Sequence, residues 1–209
     1  MLQRMLIIGI TGSIAMGKST AASMLSKLNI PIHDADKTVH QLFRKNGGAY
    51  NSIAKIFPET VGKNGVDRIR LGREVFGSPD RLAQLENIVH PLVSNARDKF
   101  IQGHRRRKSK LVILDVPLLY ETGGDKGCDK VMVVSAPAFL QKQRALSRPN
   151  MSLKKFSDIL SHQMPNSEKC KRADYVVQTG LGKAYTYCAL KGIIYKLRTK
   201  NTYKPSLEK

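Results

Sequence analysis

The chain has 209 residues and carries 36 lysines and arginines against 16 acidic residues, so its formal net charge is +20. Hydrophobic residues make up 41% of it, which is enough for a packed core and excludes a disordered chain. Aromatic residues are only 6% and tryptophan is absent, which argues against stacking platforms for single-stranded nucleic acid. The charge attracts polyanions such as nucleic acid, acidic membranes or phosphate-rich small molecules, or it reflects a compositional habit of the source, and charge alone does not separate these.

The cysteine content and the hydropathy of the chain indicate the cellular compartment in which it is expected. Cys128, Cys170 and Cys188 form neither a metal-binding spacing nor an even disulfide set, which favours a reducing compartment. No apolar run approaches the roughly 20 residues that span a bilayer. The apolar start runs straight into a glycine loop without the ending of a signal peptide. We therefore expect a cytoplasmic protein.

The first elements in the chain predict a βαβ unit. Residues 5–10 form a short apolar run that ends near glycine, as a strand buried on both faces does. Residues 18–29 have apolar side chains at helical spacing, and residues 30–33 read as a second strand.

A long helical block follows at residues 35–109, with a turn at 63–67. Ser78 and Pro79 predict a helix start. Pro91, next to His90, is expected to end one helix and open another, so that the pair forms a corner. Because the block lies between the second and third strands, it reads as an insertion with its own lobe.

The second half alternates strands and helices. Strands are predicted at 111–116, 130–136 and 174–179, and helices at 137–148, 151–164 and 182–199. Ser152 is expected to cap the second of these helices, and residues 200–209 are expected to fray. Five apolar strands separated by helices predict an α/β fold with a parallel sheet.

Residues 12–19, GSIAMGKS, match the phosphate-loop pattern G-x-x-x-x-G-K-[ST], with a strand before and a helix after. Glycines let backbone N–H groups face one concavity, and the following helix adds its positive end. Lys18 brings a charge to the β- and γ-phosphates, and Ser19 can hold Mg²⁺. The alternative is a structural glycine turn. The predicted ATP-binding residues of the loop are Gly12, Ile14, Ala15, Met16, Gly17, Lys18, Ser19 and Thr20.

Two acids follow the second strand, where open α/β sheets bind ligands. A kinase acting on an alcohol needs a carboxylate to orient the acceptor hydroxyl and take its proton, and Asp34 or Asp36 can supply it. Either acid can instead cap the next helix. Both interpretations stay open for Asp34, while for Asp36 the functional one is favoured.

Asp115 ends a hydrophobic strand and resembles a Walker B acid that holds Mg²⁺, the alternative being a buried or capping acid. Pro117, Leu118 and Leu119 then form an apolar wall, and Glu121 reads as a surface acid. Arg144 and Arg148 are four residues apart on one predicted helix face, where they can clamp a phosphate or form an exposed cationic face.

The order of these motifs resembles the dephospho-coenzyme A kinase family over residues 6–199. The motifs are TGSIAMGKST, DAD, RLGREVFGSPDRLAQLENIVHPLV, DVPLLYE, QKQRALSR, SHQMP and KRADYVV. The glycine loop is common to P-loop enzymes. The combination of Asp34-Ala-Asp36, His90-Pro91 and residues 116–119 is more specific.

The resemblance implies transfer of the ATP γ-phosphate to the ribose 3′-hydroxyl of dephospho-CoA, with Mg²⁺. It also implies a three-layer P-loop kinase fold with a five-stranded parallel sheet, a helical substrate-binding lobe and a lid. The core is expected at 1–34, 110–140 and 165–209, the lobe at 35–109 and the lid at 141–164. The implied partners are ATP and dephospho-CoA, with no membrane or nucleic acid, for a monomer or weak homo-oligomer.

The resemblance also assigns roles to matching positions. Asp36 is expected as the base, with Lys18 and Arg144 as further catalytic residues. Arg148 is expected on the ATP phosphates, and the segment 178–180 near the adenine. Ser19 and Asp115 are the implied Mg²⁺ ligands. The substrate site is expected to include Asp34, Asp36, His90, Pro117 and Leu118.

Three loop positions depart from the family's usual Gly-Gly-Ile-Gly-Ser-Gly-Lys, namely Ser13, Ala15 and Met16. Alanine tolerates positive φ poorly, so a loop that needs positive φ at Ala15 is strained. Met16 removes a hydroxyl from the loop. Two other functions compete with the one implied: a small-molecule kinase acting on a nucleoside or nucleotide, and a nucleic-acid-binding P-loop protein, which the missing aromatic residues and motifs disfavour.

Overall fold

A computed structural model describes residues 4–75 and 77–200 of the chain. The chain divides after His33 and again after His104 into two compact units. The first unit contains the N-terminal segment and the C-terminal half, and the second unit is residues 34–104. The tail expected to fray lies, beyond residue 200, outside the described residues.

The elements are numbered in chain order. The strands are β1 (Leu6–Thr11), β2 (Ile32–Asp34), β3 (Val61–Gly62), β4 (Gly65–Val66), β5 (Leu111–Asp115), β6 (Lys130–Ser135) and β7 (Tyr175–Gln178). The α-helices are α1 (Lys18–Lys27), α2 (Ala35–Leu42), α3 (Tyr50–Ile56), α4 (Arg68–Val75), α5 (Pro79–Arg106), α6 (Ala138–Leu146), α7 (Leu153–Ser161), α8 (Asn166–Arg172) and α9 (Lys183–Lys200).

The sheet of the first unit confirms the predicted fold class. Within the described residues it has five strands in the order β2-β5-β1-β6-β7. The pairs β1–β5, β1–β6 and β6–β7 are parallel. The central strands are mostly apolar because helices cover both faces, as a parallel sheet requires. Every residue of β5 is buried, and so is all of β6 except Lys130.

Two clusters of buried side chains separate the sheet from its helices. On one face Ile8 and Ile10 of β1 pack with residues of α1 and α9 such as Leu25 and Leu190. A second cluster joins Val131 and Val133 of β6 to Leu119, Tyr120 and partly buried residues around α8. This three-layer packing brings the carboxyl ends of β1 and β5 together, since Ile10 is in register with Asp115.

The second unit contains α2 to α4, most of α5 and a short antiparallel hairpin of β3 and β4. The tip of this hairpin is residues 63–64, so the predicted turn at 63–67 also includes β4. Each strand has only two residues and gives no alternating pattern to detect. The buried core of this unit consists of Phe43, Ala49, Ile53, Phe57 and Leu71.

The predicted corner at His90 and Pro91 is wrong. Pro91 lies inside α5, a helix of 28 residues. Proline removes one helical hydrogen bond and crowds the preceding turn, so a break was the local expectation. Ile88, Val89 and Leu92 pack against the core of the second unit, and their burial keeps both sides of the proline helical.

The predicted common helix face of Arg144 and Arg148 is also wrong, because α6 ends at Leu146 and Ser147 is its C-cap. The N-cap at Ser152 is confirmed, since its side chain accepts a hydrogen bond from the Lys155 N–H. Helix α8 was not foreseen from the sequence, since its seven residues are too few for an apolar period to register.

Within residues 4–75 and 77–200, every helix lacks either the length or the apolar character that crossing a bilayer requires.

Candidate functional site

The glycine loop connects β1 to α1 at the carboxyl edge of the sheet. Gly12 is buried where an added Cβ would collide with the Val134 side chain and lie 2.8 Å from its carbonyl oxygen. Gly17 has φ of 91° and precedes the first turn of α1, so it needs the left-handed conformation that glycine adopts most readily. These two glycines are therefore required by the shape of the loop.

Two of the three unusual loop residues, Ala15 and Met16, contribute through packing. Ala15 has φ of 60°, so the strain expected for an alanine at this position is present. Its methyl group is buried in a cluster with Ala145 and Phe156. Met16 is 2% exposed, and its sulfur accepts a hydrogen bond of 3.1 Å from the Ala136 N–H. Met16 is thus a core residue that ties the loop to the end of β6.

Side chains from distant parts of the chain hold the loop backbone. The Ile14 N–H donates to Gln163 Oε1 at 3.0 Å, and Gln141 Nε2 donates to the Ile14 carbonyl at 2.9 Å. The Thr179 hydroxyl donates to the Met16 carbonyl at 2.7 Å. Gln141 and Gln163 lie in the quoted motifs QKQRALSR and SHQMP, and Thr179 lies in the segment 178–180, but none of the three was given this role. The motifs do not show the contacts, because each side chain acts across more than 120 residues of chain.

Lys18 and Asp115 form an ion pair beside the loop. Lys18 Nζ lies 2.5 Å from Asp115 Oδ1, and their side chains are only 16% and 4% exposed. Asp115 ends β5 and Lys18 begins α1, so the sheet register brings the two predicted site residues together. Ser19 and Thr20, in the first turn of α1, are exposed. The part of the chain that the structure describes contains no cluster of three His, Cys, Asp or Glu side chains arranged for a metal ion.

The two acids after β2 differ in their surroundings. Asp34 is the N-cap of α2: its Oδ1 accepts the Lys37 N–H at 2.9 Å, and its Oδ2 lies 3.6 Å from Lys37 Nζ. Asp36 lies in the first turn of α2, is exposed, and has no side-chain hydrogen bond or ion pair to another described residue. A capping role is therefore observed for Asp34, while the Asp36 carboxylate is available to a ligand.

The remaining predicted residues are placed as follows. Arg144 donates to the Thr179 carbonyl at 2.9 Å and to the Thr179 hydroxyl at 3.2 Å. These bonds fix the guanidinium beside Thr179, which itself binds the Met16 carbonyl of the loop. Arg148 is exposed just beyond α6, and His90 is exposed on α5. The Thr11 hydroxyl donates to the Pro117 carbonyl at 2.8 Å and so fixes the segment after β5. In that segment Leu118 is 39% exposed, whereas Leu119 is buried in the core.

Glu121 is not a surface acid. Its Oε1 lies 2.8 Å from Nζ of Lys169, whose side chain is fully buried, and accepts the Met164 N–H at 2.9 Å. Burial raises the pKa of Glu121, but the hydrogen bonds from Lys169 and Met164 outweigh it and hold the pKa below its ordinary value of 4.5. Because Glu121 accepts the Met164 N–H, the pair fixes the backbone directly after Gln163.

The phenol of Tyr120, next to Glu121 in the chain, is buried. Burial, reinforced by the Asp125 and Asp174 carboxylates, raises the pKa of Tyr120 to about 12, although the Arg172 guanidinium opposes the shift. Tyr120 therefore remains protonated at neutral pH.

A glycine loop between a buried strand and a helix, with a lysine paired to the acid of the adjacent strand, is typical of P-loop nucleotide-binding proteins. The sequence model of the dephospho-CoA kinase family matches residues 6–182. The chain therefore belongs to the dephospho-CoA kinase family.

Comparison with individual relatives supports the same family assignment. A dephospho-CoA kinase of Novosphingobium aromaticivorans is 48% identical over 198 residues, which cover 95% of this chain and 98% of the relative. A dephospho-CoA kinase of Paramagnetospirillum magneticum is 52% identical over 165 residues, or 79% and 78% of the two chains. The crystal structure of TT1252 from Thermus thermophilus is 33% identical and superposes with a TM-score of 0.80 over 93% of this chain and 98% of that one.

Proposed function

We propose that this enzyme phosphorylates the ribose 3′-hydroxyl of dephospho-CoA with ATP, giving coenzyme A and ADP, the final step of coenzyme A synthesis. The observation that carries the proposal is the Lys18–Asp115 pair beside a glycine loop in a chain of this family. The net charge of +20 favours both phosphate-rich substrates electrostatically.

The loop and the start of α1 bind the ATP phosphates. Backbone N–H groups of the loop and the positive end of α1 face the β- and γ-phosphates, and Lys18 adds a positive charge. Its ammonium has three N–H donors, so it can keep Asp115 and still bind a phosphate oxygen. Arg148, exposed beyond α6, supplies a guanidinium for the same phosphates.

Mg²⁺ is the proposed metal, held by Ser19 and Asp115. The donor set fits: Mg²⁺ prefers oxygen ligands and is usually bound by one or two carboxylates together with substrate phosphates and water, so a cluster of three protein acids is unnecessary. When bound, the metal neutralises charge on the phosphate oxygens. The protein itself supplies the buried carboxylate of Asp115 and the exposed hydroxyl of Ser19 as metal ligands.

Asp36 is the proposed base. Its exposed carboxylate accepts the proton of the 3′-hydroxyl as the oxygen forms its bond to the γ-phosphorus and the bond to the ADP oxygen breaks. Asp34 fixes the start of α2 through its cap and thereby the position of Asp36. His90, Pro117 and Leu118 are proposed contacts of dephospho-CoA, His90 by hydrogen bonding and the other two by apolar packing.

We propose a separate role for each of three parts of the chain. Residues 1–34, 110–140 and 165–209 form the nucleotide core, residues 35–109 bind dephospho-CoA, and residues 141–164 act as the lid. Arg144 lies at the hinge of this lid and contributes its guanidinium to the transferring phosphoryl group. The three free cysteines suit a reducing cytoplasm, where the enzyme is proposed to act as a monomer or weak homo-oligomer.

The activity is tested with a coupled assay of ADP release against dephospho-CoA, adenosine, AMP and uridine. ADP release above the rate with ATP alone is expected for dephospho-CoA. A signal with adenosine or uridine and none with dephospho-CoA would identify a different small-molecule kinase.

The base is tested with a matched pair of variants. Asp34→Asn keeps a side-chain oxygen for the Lys37 N–H and retains most activity if Asp34 is a cap. Asp36→Asn loses the proton acceptor, and its kcat is expected to fall about 100-fold or more while ATP binding persists. Wild-type turnover in Asp36→Asn removes Asp36 as the base.

A further inference from the structure

Both backbone polar groups of Ile14 are bound by glutamine side chains from outside the loop. Gln163, just after α7, accepts the Ile14 N–H at 3.0 Å, and Gln141 of α6 donates to the Ile14 carbonyl at 2.9 Å. Gln141 is 7% exposed and Gln163 is half-buried, so little competing water reaches these bonds.

These two bonds fix the peptide planes on either side of Ile14. The N–H belongs to the peptide joining Ser13 to Ile14, and the carbonyl belongs to the peptide joining Ile14 to Ala15. In a planar trans peptide the C=O and N–H point in opposite directions. Holding the Ile14 carbonyl toward Gln141 therefore turns the Ala15 N–H to the opposite side.

The arrangement matters because Ala15 is strained. Its φ of 60° is uncommon for a residue with a Cβ, and such a conformation persists only where the surroundings enforce it. Packing of the Ala15 methyl against Ala145 and Phe156 contributes, but apolar packing does not orient a peptide plane. The two glutamines supply that orientation.

We propose that Gln141 and Gln163 are positioning residues that hold the loop backbone in its phosphate-binding conformation, with the Ala15 N–H directed at the nucleotide. The inference rests on the proposed ATP-dependent function of the loop. It assigns opposite polarity to two identical side chains: position 163 must accept a hydrogen bond, and position 141 must donate one.

The acceptor role of Gln163 and the donor role of Gln141 can be tested with matched variants. Gln163→Glu keeps an acceptor for the Ile14 N–H, whereas Gln163→Met of similar length does not. Gln141→Glu replaces the donor with a carboxylate that faces the Ile14 carbonyl. Gln143→Glu, at an exposed position on the same helix, adds the same charge and serves as the control.

The readouts are the Kd for ADP by calorimetry, the KM for each substrate and the Tm. Losing one hydrogen bond from the loop is expected to weaken ADP binding about tenfold in Gln163→Met and at least as much in Gln141→Glu. Gln163→Glu is expected to stay within about threefold of wild type and Gln143→Glu within about twofold. The KM for dephospho-CoA is expected to change less than the KM for ATP.

Three results overturn the inference. The first is equal weakening of ADP binding by Gln163→Glu and Gln163→Met. The second is a Gln141→Glu variant that binds ADP like Gln143→Glu. The third is a parallel rise of both KM values with a fall in Tm, which marks a purely structural role. Because ADP binding is measured without an acceptor, the proposed function can fail in the dephospho-CoA assay while this test still decides the role of the glutamines.

Discussion

Lys18 Nζ lies 2.5 Å from Asp115 Oδ1, and both side chains are largely withdrawn from water. The pair joins the first residue of α1 to the last residue of β5. It keeps the Asp115 carboxylate compensated and holds the lysine at the loop. Under the proposed function, the cation is therefore in position before the ATP phosphates bind. Such preorganisation is the main source of electrostatic catalysis.

Replacing Lys18 with methionine is expected to lower kcat/KM for ATP about 100-fold or more, because it removes a preorganised charge from the phosphate site. Lys27→Met changes an exposed lysine in the last turn of the same helix and should stay within about twofold of wild type. Measuring Tm on both variants separates lost chemistry from lost folding. Retention of more than about a tenth of the activity in a folded Lys18→Met protein contradicts the assignment.

Strain at Ala15 predicts a contrast between two substitutions. Ala15→Gly relieves about 1 kcal/mol of left-handed strain but loses a buried methyl of about 0.8 kcal/mol and gains unfolded-state entropy, so the free energy of unfolding should change by less than about 1 kcal/mol. Ala15→Val puts a β-branched residue at positive φ and should cost about 2 kcal/mol or more. Urea unfolding measures both, and equal stability of the two variants refutes strain at this position.

For the buried Glu121–Lys169 pair, we expect that removing one partner lowers stability more than removing both. Lys169→Met leaves a partly buried carboxylate without its cation and should lower the free energy of unfolding by about 3 kcal/mol. The double variant Glu121→Leu/Lys169→Met removes both charges and should recover much of the loss. Lys171→Met, at an exposed position on the same helix, is the control and should be nearly neutral. A Lys169→Met protein as stable as this control would show that the pair contributes nothing.

Acid should weaken the fold through the same carboxylate. The pKa of Glu121 is lower in the folded protein than its ordinary value of 4.5, because the hydrogen bonds of Lys169 and Met164 outweigh burial. The unfolded chain then binds more protons as the pH falls, so this stabilisation is complete above about pH 4.5 and is lost as the pH falls through the folded pKa. Asp174 acts in the same direction, since Lys130 and the Val131 N–H lower its pKa against the effect of burial.

The measurement is the free energy of unfolding between pH 7 and pH 3. Wild type should change little down to about pH 5 and then fall, and the fall should be shallower in Glu121→Gln, whatever its absolute stability. Identical slopes in the two proteins would contradict the role of Glu121.

Much of the fold follows from local patterns. The apolar runs that became β1, β5 and β6 are almost entirely buried, and such runs are recognisable without tertiary knowledge. Prediction failed where packing overrides local preference. Pro91 continues α5 because the residues around it are held by the core of the second unit, and the two-residue strands of the hairpin are too short to carry a period.

The sequence was enough to predict a phosphate loop, because Gly12, Gly17, Lys18 and Ser19 are neighbours in the chain and their spacing is typical of a backbone cradle at a helix start. It also placed acids at the ends of β2 and β5. Tertiary structure decided what these residues touch: that Asp34 caps α2, that Asp115 pairs with Lys18, and that two glutamines hold Ile14. Those two bonds connect residues 127 and 149 positions apart. Contacts at such separations depend on how the layers pack, and no short-range pattern in the chain encodes them.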